Sequence, residues 1–170
     1  TGEIHKHEGL MGAQRDFNEG VFEHMDDLGG TDYLFSSRDG SGDGIFAWIS
    51  ATTGKIQFAN YGTTNNFYIT STNGISATTW TNVVLVNRGG ATAGDYEIWL
   101  DCTLETDTDT STPSGNISTG TNDFEIGRNS GATSYLDGLI DNFVNWDVAL
   151  STSEIGELCD GSNPQKPTKF

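Results

Sequence analysis

The feature that most limits the fold of this chain is a period of two, repeated in short runs that glycine-containing turns cut apart. Ile45 to Ser50 sets Ile45, Ala47 and Ile49 on one side and Phe46 and Trp48 on the other. Ile56 and Phe58 share a side of the next run, and Phe67 and Ile69 share one in the run after. Side chains of an extended strand alternate between two faces, so each run can bury one row and leave the other outward. Asp39-Gly40, Thr53-Gly54, Asn73-Gly74 and Gly89-Gly90 fall between runs and supply the backbone freedom that tight turns require. Val21 to Met25 and Tyr33 to Ser37 extend the series toward the N-terminus, and apolar strands follow Trp80 and Tyr96. Roughly ten short strands with almost no helical periodicity predict a two-sheet antiparallel sandwich. One helix is expected, over 151–158. There Ser151 caps, Glu154 reaches back to it, and Ile155 and Leu158 face the core.

The 170 residues suffice for one sandwich domain and no second one. Residues 1–16 mix His, Lys, Glu and Gly without periodicity and read as an arm or an added edge strand. The domain itself is expected over 17–160. Residues 161–170, with Pro164 and Pro167, read as an extended tail. The start, Thr1-Gly2-Glu3-Ile4-His5, has neither an initiator Met nor a signal-peptide pattern, as expected of a processed product or an excised fragment.

Acidic residues number 24 against 8 basic ones, a formal charge of −16. Such a chain repels phosphate backbones and carries no basic patch interleaved with aromatics, so no nucleic-acid partner is expected. Anionic membranes are disfavoured for the same reason, and no apolar run is long enough for membrane insertion. The scattered acids fit solubility or salty surroundings, with attraction of divalent cations as the sharper alternative. Cys102 and Cys159 permit one disulfide or two buried thiols.

The second half of the chain carries the most specific order of motifs. Trp80 opens an apolar strand (Val83, Val84, Leu85, Val86), and Tyr96-Glu97-Ile98-Trp99-Leu100-Asp101 follows. Then come Phe124-Glu125-Ile126-Gly127, Leu136-Asp137-Gly138-Leu139-Ile140-Asp141-Asn142-Phe143, and Leu150-Ser151-Thr152-Ser153-Glu154-Ile155. This order resembles the laminin-G-like, concanavalin A-like lectin/glucanase superfamily. The resemblance covers about Phe17 to Asp160 and lacks the apolar, aromatic-ended first strand usual in that family. It implies an all-β, two-sheet antiparallel jelly-roll sandwich with one short C-terminal helix, used as a binding module outside a cytoplasm.

Retaining glucanases of this fold set two carboxylates on one strand face in a Glu-x-Asp-x-x-Glu run. No such run exists, and Glu97, Asp101 and Glu125 stand in the wrong register or alone, so no enzyme is expected and no residue is assigned a catalytic role. His5, His7 and His24 all fall in the irregular first part. Asp39 and Asp43 space oxygen ligands at alternate positions ahead of glycine, like the start of a calcium loop, although Ser50 stands where a bidentate Glu belongs. A glycine-rich hairpin turn is the competing reading of the same residues. Asp141 is the second candidate ligand for a structural calcium, because the resemblance implies an acid at that strand and alternation puts it on the side of Leu139 and Phe143. For sugar, an aromatic plate flanked by amides is the required chemistry, and Tyr61 with Asn65 and Asn66, or Asn129 with Tyr135, offer it from loops. Trp48, Trp80, Trp99 and Trp146 sit in strand patterns and are read as core.

The expected function is therefore non-catalytic recognition or adhesion, with a glycan as ligand, extracellular or on a virion or bacterial cell surface. The rival is structural: a phage capsid or tail decoration protein that binds protein, or a further copy of itself, through residues 1–16 and the tail. A β-glucan hydrolase is the third class, and it would need Glu97 or Glu125.

Overall fold

The computed structural model describes residues 18–25, 30–39, 41–62, 66–89, 93–105, 108–109, 123–129 and 134–158. The arm at 1–16 and the tail at 161–170 lie outside them. Eleven strands are present: β1 (Asn18–Met25), β2 (Asp32–Ser36), β3 (Gly44–Ile49), β4 (Lys55–Tyr61), β5 (Asn66–Gly74), β6 (Trp80–Asn87), β7 (Tyr96–Leu100), β8 (Thr103–Leu104), β9 (Thr108–Asp109), β10 (Glu125–Ile126) and β11 (Gly138–Trp146). A short 3-10 turn (Ala93–Asp95) precedes β7, and helix α1 (Thr152–Leu158) closes the series.

The strands form two sheets, one of five in the order β11-β1-β6-β7-β8 and one of six in the order β10-β2-β3-β4-β5-β9. Each pairing is antiparallel, as the alternation of the runs requires. The inward rows are Leu34 and Phe35, Ile45, Ala47 and Ile49, Ile56 and Phe58, and Phe67 and Ile69 from the larger sheet. They meet Val83, Leu85, Ile98 and Leu100 from the smaller one. Tyr96 joins this core against Phe58 and Phe67, with ring centroids 5.3 and 4.5 Å away.

A second apolar cluster lies outside the five-stranded sheet. Val84, Val86 and Trp99 project away from the main core, and Leu150 and Ile155 pack over them with Trp146, Ala149 and Leu158. Helix α1 is held there by the predicted capping box. The Ser151 backbone N–H donates to Glu154 Oε2 (2.8 Å), the Ser151 hydroxyl donates to the same oxygen (2.7 Å), and the Glu154 N–H donates to Ser151 Oγ (3.3 Å).

Local geometry follows from a few residues. Asp101 and Cys102 both take positive φ (44° and 69°) between paired Leu100 and Thr103, a two-residue hairpin turn whose twist suits the strands. The Asn82 N–H donates to Asp101 Oδ1 at 2.9 Å, and Cys102 is disulfide-bonded, which decides between the bridge and the thiol. Between β1 and β11 the register slips: residues 20 to 22 on one strand face residues 144 to 141 on the other. The extra residue is taken up at Asn142, whose φ is 55°. This bulge corrects the alternation argument for Asp141. Ile140 and Phe143 both pack against the main core, whereas Leu139 on the other side is 58% exposed. Asp141 therefore keeps company with Leu139 but not with Phe143.

Candidate functional site

The outward face of the six-stranded sheet carries a dense aromatic surface among the described residues. Register fixes its rows. Tyr33, Trp48, Gln57 and Thr70 stand side by side across β2, β3, β4 and β5. Ser36, Phe46, Ala59 and Tyr68 form the next row, and Gly44, Tyr61 and Asn66 the one after. The rings interlock: Tyr33 stacks on Phe46 (6.2 Å) and Trp48 (6.3 Å), Phe46 stacks on Trp48 (5.2 Å), Tyr61 meets Phe46 edge-on (4.8 Å), and Trp48 leans on Tyr68 (6.0 Å). Tyr33, Trp48, Tyr61 and Tyr68 are partly exposed, while Phe46 is buried beneath its neighbours. At Gly44 an added Cβ would come 2.7 Å from the Ser37 carbonyl oxygen, so no other residue fits this turn into β3.

Polar groups border the rings. The Arg38 guanidinium lies 4.6 Å from the Phe46 centroid and 5.4 Å from that of Tyr61, and its Nε donates to the Gly42 carbonyl at 3.0 Å. Burial pushes the Tyr61 hydroxyl pKa up, with Arg38 opposing, so the phenol stays neutral and can both donate and accept. Gln57 Nε2 donates to Thr70 Oγ1 at 3.3 Å. At the β10 edge, Glu125 sits opposite Ser36 and pairs with Arg128, whose guanidinium holds the carboxyl below its ordinary range. Glu125 Oε2 and Asn129 Oδ1 are shielded and make no hydrogen bond.

The sugar-binding candidates of the sequence are placed unevenly. Tyr61 stands on the aromatic face. Asn66 lies opposite it in register with its side chain outside the described residues, and Asn65 is outside them altogether. Asn129 and Tyr135 belong to a hairpin beyond β10, closed by the Arg128–Tyr135 bridge and the Asn129 N–H to Ser134 carbonyl bond (2.9 Å). They border the same sheet, but β10 is three strand spacings from Tyr61 on β4, about 14 Å. Trp48 and Trp80 are corrections. Trp48 is on the outward face and Trp80 is 43% exposed, so neither is core, whereas Trp99 and Trp146 pack under α1. Sequence reasoning missed Tyr33, Trp48 and Tyr68 as one surface. The signal was available in the second, aromatic row of β3 flanked by Gln57 and Thr70.

The metal candidates do not converge. Asp39 Oδ1 accepts the Ser41 N–H (2.9 Å) and the Asp43 N–H (3.1 Å), which makes Asp39 the organiser of the β2–β3 hairpin turn. Asp141 lies in the other sheet. Among the described residues no three His, Cys, Asp or Glu side chains are grouped as a metal requires. The carboxylates weighed for hydrolysis are scattered too. Glu97 takes the Arg88 guanidinium (2.8 Å) and the Trp99 indole N–H (2.9 Å), Asp101 serves a turn, and Glu125 pairs with Arg128.

This two-sheet frame matches the family model described as the concanavalin A-like lectin/glucanases superfamily over residues 21–156. The chain belongs to that superfamily. No curated protein matches it. Among solved structures, the CBM40 of the Ruminococcus gnavus IT-sialidase, bound to alpha2,3 sialyllactose, superposes with a TM-score of 0.66 at 15% identity, covering 86% of this chain and 84% of that one. A heptameric SAP-like pentraxin from Limulus polyphemus gives 0.60 at 17% identity, over 85% and 70% of the two chains. Domain 4 of AbnA, an extracellular arabinanase of Geobacillus stearothermophilus, in complex with arabinotriose, gives 0.61 at 14%, over 88% and 68%. At such identities these structures share the jelly-roll frame of this superfamily member, and its own residues must supply the argument for a ligand.

Proposed function

We propose that this domain is a non-catalytic glycan-binding module and that its ligand lies on the outward face of the six-stranded sheet. One observation carries the reading: Tyr33, Trp48, Tyr61 and Tyr68 present partly exposed rings on one face of the sheet, where no helix of the described chain covers them. Sugar rings have apolar faces that stack on aromatic plates, and hydroxyls that need the mixed donors and acceptors of Gln57, Thr70, Arg38 and the tyrosines. From β2 to β5 the platform runs three strand spacings, about 14 Å, enough for more than a single sugar ring. Two of the structural neighbours hold a sugar, sialyllactose in one and arabinotriose in the other, which supports this reading. An exposed setting, on a virion or a bacterial cell, is supported by the bonded Cys102, since disulfides persist in oxidising compartments.

A glycan array followed by titration of the best ligand tests the proposal. A bound sugar should raise the melting temperature, and Trp48→Ala should lower affinity at least about tenfold while the domain stays folded. Loss of neither would remove the aromatic face from consideration. Attachment to a protein partner is the second reading. It is favoured by Trp80, Leu139 and Val144, which remain 43%, 58% and 41% exposed on the outside of the five-stranded sheet. If no glycan binds and Leu139→Asp abolishes association with an assembly, that reading replaces the first.

A further inference from the structure

The few basic side chains of this acidic protein are not spread evenly. Four Lys and Arg residues lie in the described segments: Arg38, Lys55, Arg88 and Arg128. Arg88 is on the five-stranded sheet, paired with Glu97. The other three surround the stacked Tyr33–Trp48 pair on the aromatic face. Lys55 precedes inward Ile56 on β4, so alternation turns it outward, diagonal to Trp48 across the β3–β4 ladder in which Trp48 faces Gln57. Arg38 lies over Phe46 and Tyr61 at the opposite end of the rows. Arg128 stands at the β10 edge, next to the strand that carries Tyr33.

Two of the acids near this face have structural duties. Glu125 is turned to Arg128, and Asp39 spends an oxygen on its own hairpin turn. With a formal charge of −16 over the whole chain, a random surface should be strongly negative. A neutral sugar would need no cations beside its stacking plate, and the chain has few to place. A guanidinium or ammonium group adds Coulomb attraction to its hydrogen bond when the acceptor oxygen is anionic, and a neutral hydroxyl gains no such attraction. Arg38 is anchored for that task, because its bond to Gly42 and its two ring contacts fix the plane of its donors before a ligand arrives.

We infer that the glycan bound on this face carries an acidic group, a carboxylate or a sulfate ester, which Arg38 and Lys55 receive beside the Tyr33–Trp48 stack, while Arg128 is spent on neutralising Glu125. This rests on the glycan-binding reading above. The acidic surround makes a ligand with isolated charges the better fit. A densely charged polyanion meets the repulsion of the rest of the molecule.

Matched oligosaccharide pairs separate this inference from the reading it rests on. Calorimetric titration of the intact chain would compare xylotetraose with its glucuronic-acid-substituted form, and lactose with sialyllactose, at low and high salt. In at least one pair the acidic member should bind roughly tenfold more tightly or better, with the advantage shrinking as salt rises. Lys55→Gln should reduce that ratio and leave the affinity of the neutral member unchanged. If neutral sugars bind as well as their acidic partners, the inference fails while the glycan reading stands. If neither member of any pair binds and an array shows no glycan, both fail together.

Discussion

The two outward faces of the sandwich start from similar raw material and end differently. On the five-stranded sheet, Val84, Val86, Trp99 and Trp146 project outward, and the chain returns with α1 to bury them. On the six-stranded sheet, Tyr33, Phe46, Trp48, Tyr61 and Tyr68 project outward and α1 lies on the other side of the molecule. The covered side is mostly aliphatic and tryptophan, and Glu97 there satisfies both the Trp99 indole N–H and the Arg88 guanidinium. The open side is built from tyrosines, an indole and an arginine, which tolerate water at their polar ends while offering flat apolar surface. An open apolar surface of the first kind would favour aggregation; the second kind can wait for a ligand.

The contrast predicts different phenotypes for equally drastic substitutions. Ile155→Ala removes a fully buried side chain between helix and sheet and should cost about 3 kcal/mol, read as a lower urea midpoint. Trp48→Ala, so damaging to sugar binding in the proposal above, should change stability by only about 1 kcal/mol. A large loss of stability for Trp48→Ala with no effect on binding would erase the distinction between the faces.

Smaller effects sharpen the same comparison. Ser151→Ala removes the cap of α1 and should cost about 1 kcal/mol in the same assay. The Glu154 carboxylate takes the Ser151 backbone N–H and hydroxyl, which lowers its pKa from an ordinary 4.5. A lowered folded-state pKa gives stability that is present above pH 4.5 and lost as pH falls through the folded value, so the gap between Ser151→Ala and the parent should narrow in acid. The least effect is expected for calcium. Because Asp39 Oδ1 already accepts two backbone N–H groups, adding calcium or a chelator should move the thermal midpoint by no more than about one degree. A clear rise that Asp43→Asn removes would restore the β2–β3 turn as a cation site.

Much of the architecture was legible because local rules and tertiary demands coincide here. Ile45, Ala47 and Ile49 alternate where β3 buries one row, and Ser151 and Glu154 stand three apart where α1 begins. What escaped has physical causes. Both rows of β3 are apolar, and period two cannot say which row faces the core; partner strands decide that, through Ile56 and Phe58 inward and Gln57 outward. Asp141 was misplaced because an extra residue at Asn142, with positive φ, breaks the alternation that the argument assumed. Of the residues proposed to bind, Tyr61 stands out in the sequence as an aromatic beside amides. Trp48 does not, since a strand tryptophan is ordinarily buried.

Helix α1 ends at Leu158 against the outside of the five-stranded sheet, behind the face on which a sugar is proposed to stack. Leu158 thus marks a point of attachment on the rear of the domain. A body fastened to this side leaves the tyrosine-lined palm pointing outward, so anchorage and grasp need not compete for the same ground.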